Sequence, residues 1–443
     1  MKSLPAAPPL EDLFLQPQDR FRQVVQASNE ISDEAYLHWQ KLRHLAPPEG
    51  LSALDWWWAL KFKRASGRLA FPELRATNRG MLTVSRHARI DAAQARMDRL
   101  LAGRMAMPEA AVNATTRDQF VTSSLMEEAI HSSLFEGAVS TREAAKDLLR
   151  TERQPINRDE RMILNNYQAM MRLREMAEAP LSLETILELH RIITDGTLDD
   201  HNDAGRFQQP GDRRVHIVDN RLNRIVYSPP PAEQLPERMQ RLIDFANADD
   251  LVGDRFIHPL LRSILLHFQL AYDHPFADGN GRTARALFYW SMLRRGYWLA
   301  EFFSISRLLY QHRHPYELAY QQVESDAQDG TYFVLQQLDV LDRAVTDLFD
   351  YVERKHRAQG ALRRLLRGRG DLNHRQLALL DHALRNPDQA YTHASHANSH
   401  RITIMTARSD LLGLVKQGWL QRARARKQVT YHPVDALAAK LSR

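Results

Sequence analysis

The segment His274–Arg285 reads HPFADGNGRTAR and lies between two apolar helical stretches, HPLLRSILLHFQLAY (258–272) and TARALFYWSMLRRG (283–296). A glycine-rich turn that opens a helix leaves unpaired backbone N–H groups aimed at one spot, and the helix dipole adds to them, so the segment predicts an anion site. Gly279 and Gly281 allow close approach of the backbone. Arg282 and Arg285 are three apart on the first helical turn, a spacing that lets both guanidinium groups grip successive phosphates. Asp278 supplies an oxygen ligand suited to Mg2+, which binds through one or two carboxylates together with substrate phosphates. His274 is the side chain whose ordinary pKa suits proton abstraction near neutrality. From the residues alone this is a phosphate-binding loop with a base and a metal ligand.

Outward from the loop, residues 111–355 read as a run of amphipathic helices, with apolar residues at three and four spacing in 160–177, 183–194, 256–272 and 332–352. One stretch breaks that pattern. Arg214–Tyr227, RVHIVDNRLNRIVY, alternates Val215, Ile217 and Ile225 with polar residues around Asp219-Asn220, which predicts a short hairpin. Residues 1–110 begin proline-rich and polar and continue as an uneven helical region broken at Pro47, Pro48 and Gly50. Trp56, Trp57 and Trp58 cannot all face one side of a helix, and they read as packing residues. Residues 356–443 shift towards arginine and histidine. Three helical patterns, the first HRQLALLDHALR (374–385), a second around Ser395–Ser399 and the third ITIMTARSDLLGLVKQGWL (402–420), precede the basic ribbon LQRARARKQVTYHPV (420–434). This is the order of a winged helix-turn-helix.

The chain has 443 residues, enough for two or three domains, with 44% hydrophobic and 26% charged residues. It contains no cysteine, which excludes disulfides, thiolate metal sites and a cysteine nucleophile. The start MKSLPAAPPLEDLF has no apolar signal core, and no run of apolar residues reaches membrane-spanning length, so a cytoplasmic location without membrane contact is expected. A net charge of +6 is modest for this length.

HPFADGNGRTAR resembles the Fic motif H-P-F-x-[D/E]-G-N-G-R-x-x-R at every specified position, and the resemblance extends upstream through the hairpin and downstream to about residue 350. It implies a mainly α protein: a helical Fic core with a β-hairpin flap, flanked by the N-terminal helical region and the C-terminal winged helix. It also implies protein adenylylation, the transfer of AMP from Mg-ATP to a Ser, Thr or Tyr hydroxyl of a target protein, with self-modification expected. By the same resemblance His274 deprotonates the hydroxyl, Asp278 holds Mg2+, the Gly279-Asn280-Gly281 backbone cradles the phosphates, and Arg282 and Arg285 bind the β- and γ-phosphates. The flap around Val215, His216, Ile217 and Val218 aligns the target by strand addition. Tyr316, in HPYELAY (314–320), resembles the tyrosine of the adenine pocket.

Within the helical stretch 117–137, SSLFEG (132–137) resembles the Fic inhibitory motif [S/T]-x-x-x-E-[G/N]. It places Ser132 and Glu136 one turn apart and Gly137 at the helix end. The implied brake is a pairing of Glu136 with Arg285 that occupies the guanidinium the γ-phosphate needs. Other members of the family remove AMP, or transfer a different nucleotide or phosphate; Doc-type relatives depart near the second glycine and the last arginine, where this chain keeps Gly281 and Arg285. A further alternative is a DNA-binding regulator whose Fic core senses nucleotide. In that setting Arg422, Arg424, Arg426 and Lys427 contact duplex phosphates and residues 400–410 enter the major groove. A homodimer is among the arrangements the resemblance allows.

Overall fold

Among the described residues, eight α-helices begin at short polar side chains, each accepting a hydrogen bond from an otherwise unpaired N–H of the first turn. Ser52, Thr141, Asn157, Ser182, Ser304, Asn373, Thr392 and Thr403 all cap in this way. The computed structural model describes residues 4–76, 80–102, 114–212, 214, 217–219, 224–365, 372–386, 389–425, 428–434 and 437, and within them the protein is mainly α.

The N-terminal region holds α1 (Gln18–Glu30), α2 (Trp39–Leu42), α3 (Ala53–Ala65), the antiparallel pair β1 (Arg68–Arg75) and β2 (Met81–Ser85), and α4 (Ala88–Met97). The hairpin departs from the helical expectation for residues 1–110. Its alternation is obscured because the register shifts between Phe71 and Arg75, around Pro72, which has no N–H to give to the ladder. The tryptophans are packing residues as read: Trp57 and Trp58 are buried and donate their indole N–H to the Pro8 and Pro9 carbonyls at 2.8 and 3.0 Å. They tie the proline-rich start to α3.

The central region comprises α5 (Ala114–Phe135), α6 (Arg142–Thr151), α7 (Arg158–Glu175), α8 (Leu183–Thr194), the pair β3 (Ile217–Asp219) and β4 (Arg224–Tyr227), and α9 (Leu235–Asn247). It continues with the short pair β5 (Leu251–Val252) and β6 (Arg255–Phe256), α10 (Pro259–Asp273), α11 (Asn280–Arg294), α12 (Ile305–Gln311), α13 (Arg313–Ser325) and α14 (Thr331–Leu365). Helices α10 and α11 are buried over nearly their whole lengths, so the loop joining them is held from every side. Val215 and His216 of the expected flap lie outside the described residues, and Ile217 and Val218 fall on β3.

The C-terminal segment follows the predicted order, with α15 (His374–Arg385), α16 (His393–His400), α17 (Ile404–Lys416), then β7 (Leu420–Ala425) paired with β8 (Gln428–Pro433). Tyr391 adds an antiparallel bridge to Tyr431, and Leu380, Leu411, Leu414, Trp419 and Tyr431 form an apolar cluster of their own. Two features differ from the expected layout. Helix α14 runs through the expected boundary at 355–356 to Leu365, and α16 lies against α5 and α6, where Asn398 Nδ2 donates to the Arg150 carbonyl at 3.4 Å.

A buried charge network joins the N-terminal region to the turn between α13 and α14. Lys61 Nζ is 2.7 Å from Asp326 and 3.7 Å from Asp329, while the Tyr332 and Tyr36 hydroxyls donate to the same two carboxylates at 2.8 and 2.7 Å. Removing one partner of such a network strands the others away from water. Lys61→Ala is therefore expected to lower the unfolding free energy by about 3 kcal/mol, read as a shifted urea midpoint; an unchanged midpoint would refute the pairing as a support of the fold.

Candidate active site

The loop starts where α10 stops. His274 takes a left-handed conformation (φ +47°) and its N–H closes on the Leu270 carbonyl at 3.1 Å. That conformation is disfavoured for a residue with a Cβ and has to be held by its surroundings. Arg214, at the base of the flap, donates to the carbonyls of Asp273 and His274 at 3.0 and 3.1 Å and to the Gln208 side chain. The Asp273 carboxylate accepts from Arg238 Nε at 2.8 Å and Gln269 Nε2 at 2.9 Å; burial raises its pKa against the pull of Arg238. The half-buried His274 ring has Nδ1 3.4 Å from the Ala271 carbonyl, and burial lowers its pKa, so the ring is neutral near pH 7 with Nδ1 as the donor and Nε2 as the basic nitrogen.

Inside the loop one pair of polar bonds is local and another bond comes from α8. The Asn280 amide bonds both the N–H and the carbonyl of Phe276 at 2.8 Å. Phe276 stacks on the His190 ring at 3.7 Å with 5° between planes. His190 Nδ1 accepts the Gly205 N–H at 2.9 Å, which leaves Nε2–H to donate to the Asp278 carbonyl at 2.8 Å. The loop backbone is thus fixed before any ligand arrives.

The glycines mark two close approaches. Gly279 caps α11 at φ +82°, and a Cβ there would come 2.9 Å from Thr194. At Gly281 a Cβ would stand 2.1 Å from Glu136 Oε1, so the Glu136 carboxylate fills the space over the first turn of α11. It also accepts from Arg285 at 2.8 Å, while Arg285 donates in addition to the Ser132 hydroxyl at 2.9 Å and the Ser132 carbonyl at 3.1 Å. Burial acts against the Arg285 charge, yet Glu136, Tyr316 and Glu128 together outweigh it and the pKa is raised. Helix α5 ends at Phe135, so Glu136 and Gly137 leave it on a turn, with Gly137 at φ +98°.

Most of the sequence-predicted residues meet here, with differences in detail. Arg282 and Arg285 reach different neighbours: Arg282, buried, donates to the Ile193 carbonyl of α8 at 3.1 Å and lies 3.3 Å from Asp278 Oδ2, whereas Arg285 turns to α5. Tyr316 is buried in an aromatic cluster, its hydroxyl 3.1 Å from His267 and 3.2 Å from Tyr320, with its ring edge on Phe135. On the flap, Val218 pairs with Ile225 and Ile217 with Tyr227; among the described residues β3 pairs only with β4, so its other edge is unpaired. Tyr227 anchors the flap through a 2.8 Å hydrogen bond from its hydroxyl to the Tyr272 carbonyl.

Asp278 is 41% exposed at its side chain. Among the described residues no cluster of three or more His, Cys, Asp or Glu could hold a metal by itself. A single accessible carboxylate beside a helix N-terminus still suits Mg2+ that arrives with phosphates. The supporting residues His190 and Arg214 did not stand out in the sequence. The one available signal for His190 was its place on the apolar face of α8 with Ile186, Leu189 and Ile193.

Residues 180–292 match the model of the Fic/DOC family. Over 117 residues the chain is 32% identical to a protein adenylyltransferase fic-1 from Caenorhabditis elegans, covering 26% of this chain and 20% of that protein. Over 118 residues it is 31% identical to a protein adenylyltransferase Fic from Nematostella vectensis, covering 26% and 24%. The chain therefore spans about a fifth to a quarter of the length of these relatives. A solved Fic family protein from Desulfovibrio desulfuricans, 19% identical, superposes with a TM-score of 0.51 over 79% of this chain and 97% of that one, a likeness of fold.

Two buried imidazoles of this region have a consequence for stability. Burial lowers His190 to about 4 and His267 to about 3. As pH falls below the ordinary 6.5, the unfolded chain takes up protons that these folded rings refuse, so stability is full above that value and declines towards about pH 4. Urea unfolding should weaken by up to about 1.4 kcal/mol per pH unit for each ring, and His190→Gln should flatten the slope. No loss between neutrality and about pH 5 would contradict their burial as neutral rings.

Proposed function

We propose that this chain, which carries a Fic domain in residues 180–292, transfers AMP from ATP to a Ser, Thr or Tyr hydroxyl of a protein and is restrained in cis by Glu136. The observation that carries the reading is the Glu136 carboxylate seated over Gly281 and paired with Arg285. A helix N-terminus and a buried guanidinium that accept one anion form a seat for another, and His274 is close enough to feel the Glu136 charge. The adenylyltransferase names of the C. elegans and N. vectensis relatives support the same chemistry.

In the proposed reaction His274 Nε2 takes the proton of the target hydroxyl. A bond forms between that oxygen and the α-phosphorus, the bond from the α-phosphorus to its bridging oxygen breaks, and pyrophosphate leaves. The free edge of β3 aligns the target segment by strand addition. Asp278 would hold Mg2+ together with the phosphates, and the ion would neutralise charge on the leaving pyrophosphate. Arg285 orients the terminal phosphate once Glu136 withdraws, while Arg282 braces Asp278 from a buried position. Tyr316 borders this space through Phe135, consistent with a place near the base.

The C-terminal segment is proposed to contact duplex DNA through α17 and the ribbon. Residues Ile404, Met405 and Arg408 are exposed on α17, and Arg422 is exposed on β7; Arg426 and Lys427 lie outside the described residues. Among the described residues no helix is long and apolar enough to cross a membrane.

Parallel incubations with ATP labelled at the α- or the γ-phosphorus test the reaction, and label is expected on protein from the α-position only. Label from the γ-position would replace the reading with phosphate transfer. His274→Ala should lower transfer by at least roughly a hundredfold with ATP binding retained. Glu136→Gly should raise self-modification by roughly tenfold or more, and adding Arg285→Ala should return it to a low level; an unaltered rate in Glu136→Gly would remove the brake.

A further inference from the structure

Helices α5 and α11 run antiparallel, and their facing residues are spaced by four on both sides. Glu136 lies on Gly281, Ser132 bonds Arg285, and one turn further along Glu128 accepts from the Tyr289 hydroxyl at 2.9 Å. The third rung is not part of the inhibitory motif, and the proposed chemistry does not use it. Glu128 is only 2% exposed, yet its carboxylate is surrounded by donors. Besides Tyr289 it accepts from the Ser304 hydroxyl at 2.8 Å, the Ser306 N–H at 3.0 Å and the Ser306 hydroxyl. Tyr289 in turn accepts the Ile305 N–H at 2.9 Å, so the carboxylate also reaches the start of α12.

A buried carboxylate is expensive to desolvate, and apolar packing would hold two helices together at less cost. What directed bonds add is a fixed axial position, because a helix that slides by one turn, about 5.4 Å, would lose all four. The bonds from α5 to α7, Asn166 to the Ala129 carbonyl at 3.2 Å and the Ser133 hydroxyl to the Met162 carbonyl at 3.2 Å, secure a different flank.

We propose that Glu128 is a positioning residue of the brake: bonded to Tyr289 of α11 and to Ser304 and Ser306 at the start of α12, it sets the axial position of α5 so that Glu136 falls over Gly281 and within reach of Arg285. The inference rests on the reading of Glu136 as the inhibitory carboxylate. It assigns Glu128 a role that acts through Glu136 and leaves the reacting groups untouched.

The test measures self-adenylylation of the full chain with α-labelled ATP, alongside melting temperature, for Glu128→Ala, Glu128→Gln and Tyr289→Phe, each alone and combined with Glu136→Gly. Loss of the bonded set is expected to raise transfer by roughly fivefold in Glu128→Ala, with a smaller rise in Glu128→Gln and Tyr289→Phe and no further rise in the Glu136→Gly background. Tyr289→Phe removes one donor and keeps the ring, so it carries the test if Glu128→Ala does not fold. A lowered melting temperature with transfer unchanged in the foldable variants would make Glu128 merely structural and overturn the proposal. An equal rise in the Glu136→Gly background would also overturn it, since the effect would then not pass through Glu136. If Glu136→Gly itself raises nothing, the brake reading falls and this proposal with it; a rise in Glu136→Gly alone sinks only the register.

Discussion

Arg285 carries a permanent charge in a position only 1% exposed, and much of the surrounding architecture meets the demand that this charge be paired. The partners come from α5: a carboxylate, a hydroxyl and a backbone carbonyl, all within a single turn and its C-terminal exit. With these partners in place the guanidinium is covered, and the point at which α5 ends and its lie along α11 bring all three acceptors to it. Phe135 adds its ring at 5.2 Å from the guanidinium carbon. The helix that supplies these groups is itself held on another side by α16 of the C-terminal segment.

The polar loop sits between two helices buried over nearly their whole lengths, an arrangement that ordinarily strands backbone groups. Here the demand is met within the chain, by Asn280 for Phe276, by His190 for Asp278 and Gly205, and by Arg214 for the carbonyls of Asp273 and His274. A neutral histidine suits the second of these tasks, because one ring nitrogen donates while the other accepts and no charge is brought into the core. The left-handed backbone at His274 is therefore held by long-range bonds and not by a glycine.

The loop was largely legible in the sequence because its chemistry is local: glycines, a base, an acid and two arginines fall within a dozen residues, whereas the contact of Glu136 with Arg285, 149 residues apart, was expected only from the resemblance of Ser132–Gly137 to a known motif. The spacing of helices such as Leu183–Thr194 followed directly from apolar periodicity. What escaped the sequence depends on partners far along the chain. Arg214 and His190 act on carbonyls 60 and 88 residues away, and no local pattern encodes that. The β1–β2 hairpin was hidden by Pro72, whose neighbourhood shifts the register and breaks the alternation that would have revealed a strand. Helix α14 continues to Leu365 because a change in composition at residue 356 does not interrupt helical periodicity.

The bare α-carbon at Gly281 leaves one space that a carboxylate from within the chain and an anion from solution would have to share. Any side chain added there closes the space to both at once. On the proposed reading, a side chain at position 281 removes restraint and anion binding together, and variants that alter one without the other lie at other positions. Position 281 is thereby held to a bare α-carbon by whichever guest it receives, whereas the turn that carries Glu136 lies outside that restriction.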